Sequence, residues 1–173
     1  DTVRAMRVDL ARLGDDVHSL SYQLHPSVLD DLGLNEALMV ECAQFSRRES
    51  IPAKLTDFET PPRLPPEVQV CLFRIAQEAL RNAARHSRAS EVNLSLQTNN
   101  GIIQLTVSDD GVGFDPAQTS FRRSLGHASM RERARLVDGT LEVESSPGRG
   151  TRVAVSLPVK AARQRTVGCG FCY

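Results

Sequence analysis

The sequence predicts an α+β fold: a two-layer α/β sandwich, with a mixed, mainly antiparallel sheet covered by helices on one face, preceded by a long amphipathic helix. Three observations carry that expectation. An unbroken three-four alternation of apolar residues opens the chain, a long helical pattern occupies its middle, and four segments alternating apolar and polar residues follow. With 173 residues, of which 40% are hydrophobic, the chain can bury one core and carry an appendage.

The elements run as follows. Val3, Met6, Leu10, Leu13, Val17, Leu20 and Leu24 form a heptad a/d seam, a narrow stripe that could pack on the chain's own globular body but whose regular three-four alternation favours a helix bundle. His25-Pro26 ends that helix, because a residue preceding proline is pushed out of helical geometry. The stretch "LDDLGLNEALMVECAQFSRRES" reads as a second helix with Leu34, Leu38, Cys42 and Phe45 on one face. "IPAKLTDF" suits a short strand, and "ETPPRLPP" is a rigid connector whose Pro65 and Pro66 fit a helical first turn. From Glu67 to about His86 a helix is expected, burying Val68, Leu72, Ile75, Ala79 and Ala83. "SEVNLSLQT" and "IIQLTVSD" flank Asn99, Asn100 and Gly101 as a hairpin. A Gly-rich stretch from Gly111 to Gly126, a short helix around Met130 to Val137, and the strands "GTLEVES" and "GTRVAVSLP" complete the order α-β-α-β-β-α-β-β. Residues 160–173 lack periodicity and are expected to be disordered. The domain division expected is 1–33 for the appended helix and linker, 34–158 for the globular domain and 159–173 for the tail.

Lys plus Arg and Asp plus Glu both number 21, so no broad basic field exists to attract nucleic acid or an anionic membrane. Apolar runs fall well short of the roughly 20 residues a spanning helix requires. Cys42 and Cys71 lie in helical apolar patterns as reduced, buried thiols, which fits a cytoplasmic compartment. Cys169 and Cys172 form an isolated C-x-x-C without the further ligands that a metal site would need. The chain begins at Asp1, as a fragment of a longer protein would.

Four features bear chemistry. On the long helix Glu78, Asn82, Arg85 and His86 share one polar face. A carboxylate and an amide one turn apart can hold a hydrated Mg²⁺, and Arg85 can meet phosphate oxygens. The same stripe also fits a solvated helix face. "DDGVGFD" follows a strand end, where Asp109 offers a fixed carboxylate to an exocyclic amine and Gly111 and Gly113 allow a sharp turn. A Ca²⁺ loop would need Glu at its twelfth position, where Ser120 stands; a plain turn is the other alternative. Gly126 opens a helix whose free N–H groups suit phosphate, with Arg131 and Arg133 adding charge. In "SPGRGT", Gly148 and Gly150 permit a tight turn and Thr151 supplies a hydroxyl.

In this order the four features resemble the N, G1 and G2 boxes of the histidine kinase ATPase family, which also includes the gyrase, Hsp90 and mismatch-repair ATPases. "FRIAQEALRNAARHS", "VSDDGVGFD", "MRERARLVDGTLEVESSPGRGT" and the linker "LHPSVLDDLGL" are similar to two-component sensor histidine kinases paired with helix-turn-helix response regulators. The resemblance implies that the cofactors are ATP and Mg²⁺. Asn82 would ligate the metal, with Glu78 beside it and its waters as the second metal-site and catalytic residue. Arg85 and His86 would face the nucleotide, and Asp109 would bind the adenine amine. Gly111 and Gly113 would line the base pocket, Phe114 to Leu125 would form the ATP lid, and Gly126 would start the helix below the phosphates. Arg131, Gly150 and Thr151, the last through water, complete the nucleotide-binding set.

The implied reaction is γ-phosphoryl transfer to a histidine on an upstream helix, relayed to a response regulator, in a homodimer paired through residues 3–24. The family's acceptor is a His followed by Asp or Glu, and no such dipeptide occurs here; His18 precedes Ser19 and His25 precedes Pro26. Ser124, His127 and Asp138 stand where many relatives carry Gly, Leu and Gly. Two alternatives share the motifs: a gyrase- or Hsp90-type ATPase, and a degenerate nucleotide-binding or dimerisation module without transfer.

Overall fold

The computed structural model describes residues 27–58, 64–115 and 125–159. The expected heptad helix at Val3–Leu24 and the tail 160–173 lie outside the described residues. Helix α1 spans Ser27–Leu32 and α2 Leu34–Glu49, followed by β1, Ala53–Phe58. Helix α3, Pro66–Asn82, runs directly into a π-helical turn at Ala83–Ser87. Then come β2 (Val92–Asn99), β3 (Ile102–Asp109), α4 (Leu125–Leu136), β4 (Thr140–Ser145) and β5 (Thr151–Pro158).

The five strands form one mixed sheet in the order β1-β2-β3-β5-β4. Strand β1 runs parallel to β2 and every other pair is antiparallel. Period-2 alternation decides which face is covered. Val92, Leu94 and Leu96 of β2, Ile103, Leu105 and Val107 of β3, and Val153, Val155 and Leu157 of β5 are buried under the helices. Phe45 and Leu38 of α2, Leu72, Ile75 and Leu80 of α3, and Met130 and Ala134 of α4 fill the space above them. The sandwich expected from the sequence is the one observed.

Two local differences stand out. The stretch read as one second helix is two, because Gly33 adopts φ 80°, ψ 173° and breaks the helical path between α1 and α2. The long helix ends its α-helical bonding at Asn82 and widens into the π turn, a feature that apolar periodicity does not report. Helix α4 begins at Leu125, beside the Gly126 expected to open it. The hairpin turn is the expected one: Asn100 and Gly101 both take positive φ, which suits the twist of β2 and β3.

Candidate functional site

A cavity of about 320 Å³ lies between the helices and one end of the sheet. Its floor consists of two consecutive cross-strand rows that share a face. The inner row is Val107, Val153 and Val143, paired across β3, β5 and β4. The outer row is Asp109 opposite Thr151; Ser145 pairs with Thr151 from β4 without lining the cavity. Ala79, Asn82, Ala83 and His86 of α3 and the π turn close one side, and Met130 of α4 another. Gly113, Phe114 and Asp115 of the loop after β3 form the remaining wall. Such a lining, mainly apolar with a few convergent polar groups, is that of a small-molecule site.

The polar groups are fixed by their neighbours. The Asp109 carboxylate accepts the Gly111 N–H at 3.0 Å. Burial raises its pKa above the ordinary carboxylate value, while the Gly111 and Thr151 backbone N–H groups pull it back. Asp110 points the other way, accepting the Ser90 N–H at 2.8 Å, the Glu91 N–H at 3.0 Å and the Ser90 hydroxyl. That triple contact ties the start of β2 to the end of β3 and holds Asp110 below the ordinary carboxylate range, chiefly through the Ser90 hydroxyl.

Two close backbone contacts lock the loops around the floor. The Val112 N–H donates to the Ser87 carbonyl at 2.7 Å, and a Cβ on Gly111 would sit 2.2 Å from that same oxygen. Gly111 therefore serves a contact between the strand-end loop and the π turn. It is not among the residues lining the cavity. Gly150, at φ 69°, lies against the strand-end backbone, where a Cβ would meet the Asp109 carbonyl oxygen at 1.9 Å. The Gly148 N–H closes the assembly by donating to the Val112 carbonyl at 2.7 Å.

Of the residues singled out from sequence, Asn82, His86, Asp109, Gly113 and Thr151 line this one cavity. Glu78 lies one turn before Asn82; its carboxylate pairs with Arg81 at 2.8 Å, and a Cβ on Gly126 would touch its Oε1. Gly126 thus brings the first turn of α4 against α3. Arg85 and Arg131 are exposed and do not line the cavity. Residues 116–124, most of the expected lid including Ser124, lie outside the described residues.

Some contributors escape sequence reasoning. Val107, Val143, Val153 and Met130 supply the apolar surface, and Ser145 lies behind Thr151. Strand parity could have found the three valines, since each stands two residues from a polar row member. His127 is buried at 5% exposure, and burial followed by the nearby Arg131 lowers its proton affinity. Cys42 and Cys71 are buried, and burial raises both thiols to about 11. They are inert as nucleophiles at neutral pH.

No metal is part of the structure, and the donor set bears on whether Mg²⁺ would fit. Among the described residues no three His, Cys, Asp or Glu side chains converge as a metal cage. Asn82 presents a half-buried amide at the cavity, one turn from Glu78. Few protein oxygens beside an open cavity suit an ion that keeps its waters and takes phosphate oxygens. Among the described residues no helix is long and apolar enough to cross a membrane.

Residues 67–161 match the family model described as histidine kinase-, DNA gyrase B- and HSP90-like ATPase. Over 150 residues the chain is 39% identical to the oxygen sensor histidine kinase NreB of Staphylococcus carnosus, covering 87% of this chain and 43% of that protein. It is likewise 39% identical over 150 residues to the sensor histidine kinase MctS of Rhizobium johnstonii, covering 86% of this chain and 32% of that one. The chain therefore spans less than half the length of these relatives. Among solved structures, the histidine kinase domain of the blue-light activated histidine kinase of Erythrobacter litoralis EL346 superposes with a TM-score of 0.61 at 24% identity, over 70% of this chain and 59% of that one. With the sandwich, the cavity and the sequence match in agreement, this chain belongs to the histidine kinase-, DNA gyrase B- and HSP90-like ATPase family.

Proposed function

We propose that this chain is the ATP-binding catalytic part of a sensor histidine kinase and transfers the ATP γ-phosphoryl group to a histidine on a helix upstream of residue 1. The observation that carries the reading is the convergence of Asn82, His86, Asp109 and Thr151 on one cavity under a family match that spans all four. Residues 34–158 act as the catalytic domain. Residues 1–33 belong to the dimerisation unit, pairing two copies through residues 3–24, and a response regulator receives the phosphoryl group.

Each residue has a task in that reading. Asp109 accepts the adenine amine, and the valine row below packs against the flat face of the base. His86, at the cavity mouth, and Arg85 and Arg131, on the exposed faces nearby, meet the phosphates. Asn82 would hold Mg²⁺ with Glu78 close by, and the ion would neutralise charge on the transferring phosphoryl group. The first turn of α4, held against Glu78 at Gly126, turns its N–H groups toward the phosphates. The chain's share of catalysis is positioning and exclusion of water, so that phosphorus meets an imidazole nitrogen.

The test is phosphoryl transfer in trans. The chain, a supplied helical hairpin carrying the acceptor histidine, and radiolabelled Mg-ATP should give label on the hairpin that acid removes and base spares. Label on this chain instead, abolished by His18→Gln, would overturn the assignment of the acceptor.

A further inference from the structure

Ser145 closes β4 and does not line the cavity, yet three parts of the site meet at its hydroxyl. It accepts the Phe114 N–H at 2.9 Å, which fixes the wall of the loop after β3. It donates its single proton to the Gly150 carbonyl at 2.8 Å, inside the turn that precedes β5. It also lies 3.2 Å from the hydroxyl of Thr151, its cross-strand partner on the cavity floor.

A hydroxyl has one hydrogen and two acceptor positions. With its own proton on Gly150 and one lone pair on Phe114, Ser145 can only accept from Thr151. The Thr151 hydroxyl proton is then directed away from the cavity, and Thr151 shows the cavity lone pairs alone. Asp109, the other polar member of the same row, is a carboxylate and also only accepts. The floor therefore presents two acceptors and no hydroxyl donor.

We propose that Ser145 is a positioning residue that sets base specificity: by taking the Thr151 proton it makes the floor select a purine with an amino group at C6 over one with a carbonyl there. The inference rests on the nucleotide-binding reading of the cavity. At C6 a 6-amino purine offers hydrogens directly to both acceptors, whereas a 6-oxo purine turns an oxygen toward them. Removing Ser145 frees the Thr151 proton to meet that oxygen.

The test compares ATP with inosine triphosphate, which differ at C6 and N1, on the 173-residue chain by titration calorimetry with Mg²⁺. Wild type should favour ATP. Ser145→Ala should narrow the ATP-to-ITP affinity ratio about fivefold, the size of one net hydrogen bond, and Ser145→Thr, which keeps the hydroxyl, should restore it. Thr151→Val, which removes the acceptor and keeps the shape, should narrow the ratio independently of how Ser145→Ala folds. A merely structural role for Ser145 would weaken both nucleotides equally; an unchanged ratio in Ser145→Ala, or in Thr151→Val should Ser145→Ala not fold, overturns the proposal. Wild-type protein that binds neither nucleotide would instead remove the cavity's nucleotide reading.

Discussion

Replacing Asp109 by Asn exchanges one carboxylate oxygen for an amide NH₂ and leaves the shape of the cavity floor intact. The remaining oxygen can still accept the Gly111 N–H, now at 3.0 Å. The NH₂ then faces the cavity, where an adenine amine would meet a donor in place of an acceptor. Losing that hydrogen bond and stranding a donor costs about 1–3 kcal/mol, or roughly 5- to 150-fold in Kd. Folding should respond in the opposite sense. Burial raises the Asp109 pKa, so the folded chain binds this proton more readily than the unfolded chain, and at neutral pH the ionised group opposes folding. Asp109→Asn should therefore melt no lower than wild type without nucleotide while binding ATP more weakly. Wild-type affinity should also fall as acid protonates Asp109, beginning above the ordinary carboxylate pKa, and the variant should lack that decline. Calorimetric titration across pH, with thermal melts of the apo proteins, reads both effects. Unchanged ATP affinity, or a loss that tracks a lowered Tm, would remove Asp109 from the base pocket.

Other perturbations follow from the same geometry. Gly111→Ala drives a Cβ to within 2.2 Å of the Ser87 carbonyl and should cost about 1–3 kcal/mol, measured by urea unfolding. His127 has its pKa lowered from 6.5 by burial, so its contribution to stability is complete above that value and is lost as pH falls toward its folded pKa. His127→Leu should therefore gain in Tm relative to wild type more at pH 5.5 than at pH 7.5, and an equal difference at both would contradict this. Asn82→Ala should lose most of the Mg²⁺ dependence of ATP affinity, so that chelation weakens wild type strongly and the variant little.

The sheet was legible because its signals are local. Alternation in "SEVNLSLQT" and "IIQLTVSD" and the Asn100-Gly101 turn specify the hairpin and its register without reference to distant residues. Asp109 and Thr151 were legible as chemistry, but their adjacency depends on β5 inserting between β3 and β4, a pairing no local pattern encodes. The π turn was hidden for a related reason. Apolar spacing fixes which side of a helix is buried and leaves its last hydrogen bonds undetermined, so Arg85 and His86 looked equivalent while only His86 reaches the cavity lining. The sequence does not show that Gly111 faces the π turn rather than the base pocket, because its partner, the Ser87 carbonyl, becomes a neighbour only once the π turn and the strand-end loop have packed. Ser145 carried no signal of its own, since a serine closing a strand is unremarkable until its three partners are in place.

In the proposed reading, the cavity between α3, α4 and the β3-β5-β4 end of the sheet is an ATP site. A crystal structure of this chain with Mg²⁺ and a non-hydrolysable ATP analogue tests it most directly. The base should lie on the Val107, Val143 and Val153 row, its amine within hydrogen-bonding distance of Asp109, with the phosphates running toward Asn82. A nucleotide bound elsewhere, or a base whose amine faces away from Asp109, would contradict it.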